Sequence, residues 1–294
     1  MSIKSDIKKR VKPLIDLSSY ASEAYVELKS HIINQSAELI QFSETSSTPA
    51  DLVLVEILKG LRVYETKENQ LTRIGGANDG GYVMLEPSAP MLAMSLGVGP
   101  NVSWDLHMME LGHQVEMFDP TIKKPPTPVL GARFHKVGVV GNFKESNFDL
   151  RTLRDLRFLC DSKHINSTLK IDVEGAEWAA FAGTPVDELE NYEQIAVEFH
   201  DLHDLVDEKK SKLCLSAISN INKTHFAVHF HANNYSKLIR FGSYWFPDAI
   251  EVTFVRKSTH LQGSLVSKVR SVLDSPNAPM LPEYDLESLI TLWK

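Results

Sequence analysis

Cysteine is scarce in this chain, with two in 294 residues. Cys160 and Cys214 stand far apart, in neither a CxxC nor a zinc-ligand spacing. That excludes a disulfide framework and points to a reducing compartment. No apolar run approaches the roughly 18 residues needed to span a bilayer. The opening stretch, "MSIKSDIKKRVKPLIDLSSY", lacks both an apolar core of signal-peptide length and a small-residue cleavage site. The expectation is a soluble, cytoplasmic protein with no membrane insertion. Positive charge is also in deficit. The formal net charge of −7 disfavours nucleic acid and anionic membranes as partners and otherwise serves solubility. Internal repeats and low-complexity tracts are absent. What remains is an ordinary globular composition, 43% hydrophobic and 23% charged, long enough for one large α/β domain and an appendage.

The first 60 residues read as a helical extension. Leu14, Leu17, Ala21, Tyr25, Leu28, Ile32 and Ile33 recur at helical spacing over residues 1–45. "SETSSTPAD" is a linker, and the Thr48-Pro49 region starts a second helix, "ADLVLVEILKGL". Such an apolar stripe packs on the domain or joins two copies into a homo-oligomer. Residues 61–257 form the main domain. "LTRIGGANDGGYVML" predicts two short strands around a turn. Strands ("MLAMSL", "HQVEMF", "ARFHKVGVV", "TLKIDV", "QIAVEFH") then alternate with helices ("SWDLHMMEL", "RTLRDLRFL", "KKSKLCLSAISNI"), and "HFAVHFHA" and "IEVTFVR" complete the set. That alternation predicts a doubly wound, mostly parallel sheet. Residues 258–294 read as a C-terminal helix and a Pro-rich tail.

The loop "SLGVGPNVSWDL" follows the first strand of the alternation. Gly97 and Gly99 let the backbone approach a ligand closely. About 20 residues on, "EMFDP" ends the next strand with Asp119, where an acid accepts hydrogen bonds from ribose hydroxyls. A dinucleotide fingerprint would place a third glycine where Val102 stands, and no Lys-Ser/Thr pair marks a P-loop. The spacing therefore fits S-adenosylmethionine better than NAD, with a plain strand–helix turn as the alternative.

"RIGGANDGGYVML", "SLGVGPNVSWDL", "VEMFDPT", "FHKVGVVG", "LKIDVEGAEW" and "IAVEFH" occur in that order over about residues 70–200. Together they resemble the S-adenosylmethionine-dependent methyltransferases of the FkbM and methyltransferase-like-24 type. The resemblance implies a class I methyltransferase (Rossmann-like) fold, a seven-stranded sheet of order 3-2-1-4-5-7-6. It implies cofactor contacts at Gly97, Gly99, Asp119, Gly138 and Val139, with Asp79 and Gly80 of "NDGGYV" near the methionine end or the acceptor. Read alone, "NDGG" is hairpin-turn chemistry. Members of this family are usually O-methyltransferases acting on sugars, glycans or other small hydroxylated acceptors.

In "KIDVEGAEW" a buried strand ends in Asp172, followed by Glu174, Gly175 and Glu177. The next strand ends with Glu198 and His200, which share one side because they lie two apart. Ligands of open parallel sheets sit beyond the carboxyl ends of the strands. Asp172, Glu198 and His200 are thus candidate catalytic residues. One of them acts as general base, or the three hold a divalent metal such as Mg²⁺ or Mn²⁺ that lowers a hydroxyl pKa. Glu174 as a helix cap and Glu198–His200 as a structural pair are the plainer readings. His229, His231 and Asn233 alternate on one face, either binding a hydroxylated acceptor or metal or satisfied by neighbours. Two other functions stay open: a metal-dependent hydrolase using the same trio, and a non-catalytic binding protein on this fold.

Overall fold

The computed structural model describes residues 49–67, 70–87, 89–141, 147–164, 166–241 and 244–294. The helix expected over residues 1–45, and any self-association through it, lie outside the described residues. The second helix, α1 (Pro49–Gly60), starts at the expected proline, whose missing N–H is no loss at a helix start. Leu54, Ile57 and Leu58 form its buried stripe, which Leu61 continues just past the helix end.

Seven strands make the central sheet: β1 (Leu92–Leu96), β2 (Gln114–Phe118), β3 (Arg133–His135), β4 (Ser167–Ile171), β5 (Tyr192–Phe199), β6 (His225–Ala232) and β7 (Ile250–Arg256). Their spatial order is β3-β2-β1-β4-β5-β7-β6. β7 runs antiparallel to both neighbours and the other pairings are parallel. Helices supply the crossovers: α2 (Ser103–Glu110), α3 (Leu153–Leu159), α4 (Glu177–Gly183), α5 (Val186–Leu189) and α6 (Glu208–Thr224). A last short helix, α7, spans Leu289–Trp293. This is a mixed α/β fold compatible with the Rossmann-like class, and the strand order is the one expected.

Continuous apolar runs become strands here because both faces of the sheet are covered. In β1, Leu92, Met94 and Leu96 join the core on one face, with Leu54, Phe181 and Ile221, and Ala93 joins the other, with Trp104 and Tyr82. Burying a side chain such as Phe181 or Phe199, each at 0% exposure, contributes about 1.5–3 kcal/mol. Gly112 caps α2 at φ +84°, as its place after "MMEL" predicts. Among the described residues no helix is long and apolar enough to cross a membrane.

Two segments depart from the sequence reading. "ARFHKVGVV" is not one strand: β3 ends at His135, and Gly138–Val139 pairs instead with Leu150–Arg151. Gly138 packs so tightly that an added Cβ would lie 2.7 Å from both Leu150 and Pro120. Residues 258–294 are not a helix followed by a tail. Gln262–Leu265 pairs antiparallel with Tyr64–Thr66, an irregular strap follows, and helix comes only at α7. Trp293, 3% exposed, docks on α1 and donates Nε1–H to the Leu58 carbonyl at 2.8 Å.

The antiparallel hairpin Leu71–Ile74/Tyr82–Leu85 lies on the sheet face that carries Gln194 and Thr253. Gln194 exchanges two 2.9 Å hydrogen bonds with the Leu85 backbone, and Thr253 Oγ1 donates to the Val83 carbonyl at 2.7 Å. These anchors carry the hairpin turn to the C-terminal rim of the sheet.

Candidate functional site

A cavity of about 650 Å³ opens across the carboxyl ends of β1, β2 and β4. Gly97, Gly99, Asp119, Gly138, Val139 and Asp172 all line it. The three strand tips are tied to one another through the backbone. Gly97 N–H donates to the Phe118 carbonyl and Asp172 N–H to the Leu96 carbonyl, each at 2.9 Å. Lys170, on β4, donates Nζ–H to the Gly97 carbonyl at 2.6 Å. Gly97 has φ +81°, and a Cβ there would lie 1.6 Å from the Asp172 carbonyl oxygen. Gly99 is the opposite case: a Cβ would meet nothing within 4 Å. One glycine is required by the protein's own packing, and the other leaves room for a ligand.

Asp119 is buried at 8% exposure. Its Oδ2 accepts the Val98 N–H at 3.0 Å, and Oδ1 accepts the Thr121 N–H at 2.7 Å and hydroxyl at 2.6 Å. A carboxylate has about four lone-pair directions, so the group retains acceptor capacity. Asp79 and Gly80 sit in the hairpin turn, tied to the loop after Gly99 by Asn101, whose Nδ2 donates to the Asp79 carbonyl at 2.5 Å. Loss of solvent on its inner side, then the charges of Asp172 and Glu251, raise the Asp79 carboxyl above its ordinary range.

Asp172, Glu198 and His200 do come together. His200 Nε2 lies 3.5 Å from Glu198 Oε1, 3.7 Å from Glu174 Oε2 and 3.8 Å from Asp172 Oδ1. Tyr82 donates its hydroxyl to Asp172 Oδ2 at 3.3 Å. Ligand atoms of Asp172, Glu174 and His200 all lie within 4.8 Å of one another. Glu174 is therefore part of the cluster and not a helix cap: α4 has no side-chain cap, and Glu174 points outward from a left-handed backbone at φ +54°. A non-glycine residue held there stores strain of the kind that gathers at functional sites. Glu198 sits behind, 3% exposed, accepting from Asn233 Nδ2 at 2.5 Å. Burial first, then the charges of Asp172 and Glu251, push its carboxyl well up. Glu251 is its direct cross-strand partner on β7, and like charges in that position oppose each other. Burial alone would lower the His200 pKa. The Glu177 hydrogen bond and the charges of Glu198, Glu177 and Asp172 outweigh it and raise the imidazole to about 10. Carboxylates thus outnumber cations here, which suits a bound cation.

Sequence reasoning passed over Glu177. This carboxylate, at 0% exposure, reaches both the Gly175 N–H and His200. An acid in the first turn of a helix looks like a cap, and nothing local in the sequence marks its contact 23 residues away.

The histidines of β6 are satisfied by neighbours. His229 Nε2 meets Asp274 Oδ1 at 2.7 Å. His231 is held between Glu251 at 3.2 Å and Glu283 at 3.2 Å. Asp274 and Glu283 belong to the strap, so these pairs fasten it over the edge strand. Burial would lower the His231 pKa, but hydrogen bonds with Glu251 and Glu283 raise it to about 10. Burial would raise Asp274, but His229 draws it below its ordinary value. A raised histidine stabilises fully below its unfolded pKa near 6.5 and loses that contribution as pH climbs to about 10. A lowered carboxylate contributes above its unfolded value near 3.9 and loses that contribution as pH falls through its folded value. Amide protection of residues 270–287, corrected for intrinsic exchange, is therefore expected to be greatest between about pH 5 and 6.5. It should weaken in both directions, and Asp274→Asn should remove the acid-side loss that Asp274 causes. A flat profile from about pH 3 to 10 in the wild type would show that the pairs do not fasten the strap.

Comparison with protein-family models, with curated proteins and with solved structures finds no significant match to this chain.

Proposed function

We propose that this protein binds S-adenosylmethionine in the 650 Å³ cavity and transfers its methyl group to a hydroxyl of a sugar, glycan or other small hydroxylated acceptor. The observation that carries this reading is the place and shape of the cavity. It spans the tips of β1, β2 and β4, and β1 and β4 are neighbours whose outgoing connections run in opposite directions, β1 toward β2 and β4 toward β5, which is where open α/β sheets bind ligands. Open space at Gly99 and the acceptor Asp119 suit an adenosine moiety. Val102, 4% exposed and buried in the core, stands where a pyrophosphate loop would need glycine. The strand order is that of the class I methyltransferases, and the family resemblance points the same way.

S-adenosylmethionine supplies an electrophilic methyl on a sulfonium, so the protein's main task is orientation. Asp172, where β4 ends, and His200, where β5 ends, face the region where an acceptor would meet that methyl. The acceptor hydroxyl must also lose a proton. Asp172, Glu174 and His200, with Glu198 behind them, would hold a divalent cation such as Mg²⁺ or Mn²⁺, which favours ionisation of a hydroxyl. His200 would serve as a ligand through a deprotonated Nε2, because Nδ1 is already engaged by Glu177 at 3.1 Å.

Transfer of labelled methyl from S-adenosylmethionine to a panel of glycans and small alcohols tests the reaction. Transfer is expected, with loss in chelator and recovery on adding Mg²⁺ or Mn²⁺. Full activity in chelator would assign the proton to a side-chain base. S-adenosylmethionine binding without transfer to any acceptor would favour a binding protein. Asp119→Ala should weaken S-adenosylhomocysteine binding by about 1–3 kcal/mol, the cost of leaving buried ribose hydroxyls unpaired. Unchanged affinity in calorimetry would remove Asp119 from the site.

A further inference from the structure

Glu177 lies in the first turn of α4 with its carboxylate wholly buried. Both oxygens are engaged. Oε2 accepts the Gly175 N–H at 3.0 Å, and Oε1 accepts the His200 N–H at 2.6 Å and stands 3.1 Å from His200 Nδ1. The next helical residue holds the peptide on the other side of His200: Trp178 Nε1–H donates to the His200 carbonyl at 2.7 Å, and its ring stacks on Phe199 with centroids 4.1 Å apart. Two consecutive helical residues thus fix the backbone of His200 on both sides and its ring on the Nδ1 side.

A helix cap needs one oxygen on one N–H, and a neutral glutamine would serve. Burying a carboxylate is costly unless it is fully paired. Here two of its three contacts go to His200, on a different strand tip. A carboxylate can only accept, so Nδ1 must carry the hydrogen between them. Nε2 is then the nitrogen presented to Asp172, Glu174 and Glu198. The backbone around this clamp is strained on both tips, at Glu174 (φ +54°) and Asp201 (φ +57°). Gly175 is packed so closely that a Cβ would lie 2.5 Å from Asp201 Oδ2. Glu177 bridges these two tips.

We propose that Glu177 is the positioning residue of the site, orienting His200 so that Nε2, and not Nδ1, works on the acceptor or its cation. The role of His200 in this statement rests on the methyltransferase reading, whereas the Glu177–His200 contact does not. Such outer carboxylates set ring orientation, and their loss typically costs about 10–100-fold in function.

Nitrogen-15 NMR of the full chain tests it directly. The wild type should show a downfield, slowly exchanging Nδ1–H signal, assigned to His200 by its absence in His200→Ala. Glu177→Ala should lose it. Glu177→Gln, close in shape and still an acceptor, should keep it but shifted upfield, because a neutral acceptor binds the proton less strongly. With an acceptor from the methyl-transfer panel, Glu177→Ala should lose about 100-fold in kcat and Glu177→Gln about tenfold. S-adenosylhomocysteine affinity should stay within about threefold, a loss too small to involve its site directly. An unmoved ring signal in both variants, or wild-type kcat in a folded Glu177→Ala, would overturn the proposal. Failure of the wild type to bind S-adenosylhomocysteine would instead sink the methyltransferase reading, and with it the assigned task of His200. The ring signal would still show whether Glu177 holds the imidazole.

Discussion

His200→Ala is expected to abolish methyl transfer while leaving S-adenosylhomocysteine affinity within a few fold of wild type. The imidazole stands at the meeting point of Asp172, Glu174 and Glu198 but does not line the cavity beside Gly99 and Asp119. In the proposed methyl transfer it would stand on the acceptor side. Removing a base or a metal ligand typically costs about 10²–10⁴-fold in rate. Glu198→Gln separates two roles. The Glu198 carboxyl is held well up by burial and by Asp172 and Glu251, so glutamine resembles its protonated form. If Glu198 only supports Asn233 and His200, turnover should stay within about tenfold of wild type, and a loss like that of His200→Ala would place Glu198 among the ligands. Single-turnover rates with labelled S-adenosylmethionine make the comparison. Near-normal turnover in His200→Ala would move the reaction centre elsewhere.

The second large effect concerns two glycines two residues apart. Gly97→Ala should destabilise the protein by about 3–5 kcal/mol, because the new Cβ collides with the Asp172 backbone from a left-handed conformation. The collision is with main chain on a neighbouring strand tip, so no side-chain rotation relieves it. Gly99→Ala should fold within about 1 kcal/mol of wild type, since its Cβ meets nothing. Yet that Cβ occupies space in the cavity, and S-adenosylhomocysteine should bind about tenfold or more weakly, roughly 1.4 kcal/mol. Thermal melts and calorimetry on the two variants distinguish packing from ligand space. A fully stable Gly97→Ala, or a Gly99→Ala with wild-type affinity, would contradict these assignments.

Much of the sheet was legible because strands buried on both faces write themselves as apolar runs. β1, β2, β4, β5, β6 and β7 all fall where such runs occur. The tips were legible for a related reason. Asp172, Glu198 and His200 interrupt apolar strands with polar groups, and period-two alternation puts Glu198 and His200 on one side. Contacts set by tertiary packing left no such mark. Glu177 looks like an ordinary first-turn acid until β5 brings His200 beside it. The strap gives no periodicity, because its order comes from single anchors: Asp274 on His229, Glu283 on His231, and Asn277 donating to Glu251 at 2.6 Å. Histidines alternating along β6 were visible, but their partners lie 45 and 52 residues downstream. The break after β3 was hidden as well, since Gly138–Val139 pairs with Leu150–Arg151, a partner 12 residues on that the apolar run does not mark.

The most direct test of the central claim is a calorimetric titration of the wild-type chain with S-adenosylhomocysteine and, separately, with NAD. The cavity at Gly99 and Asp119 predicts one equivalent of S-adenosylhomocysteine bound and no heat from NAD. Saturable NAD binding, or no binding of S-adenosylhomocysteine, would contradict it.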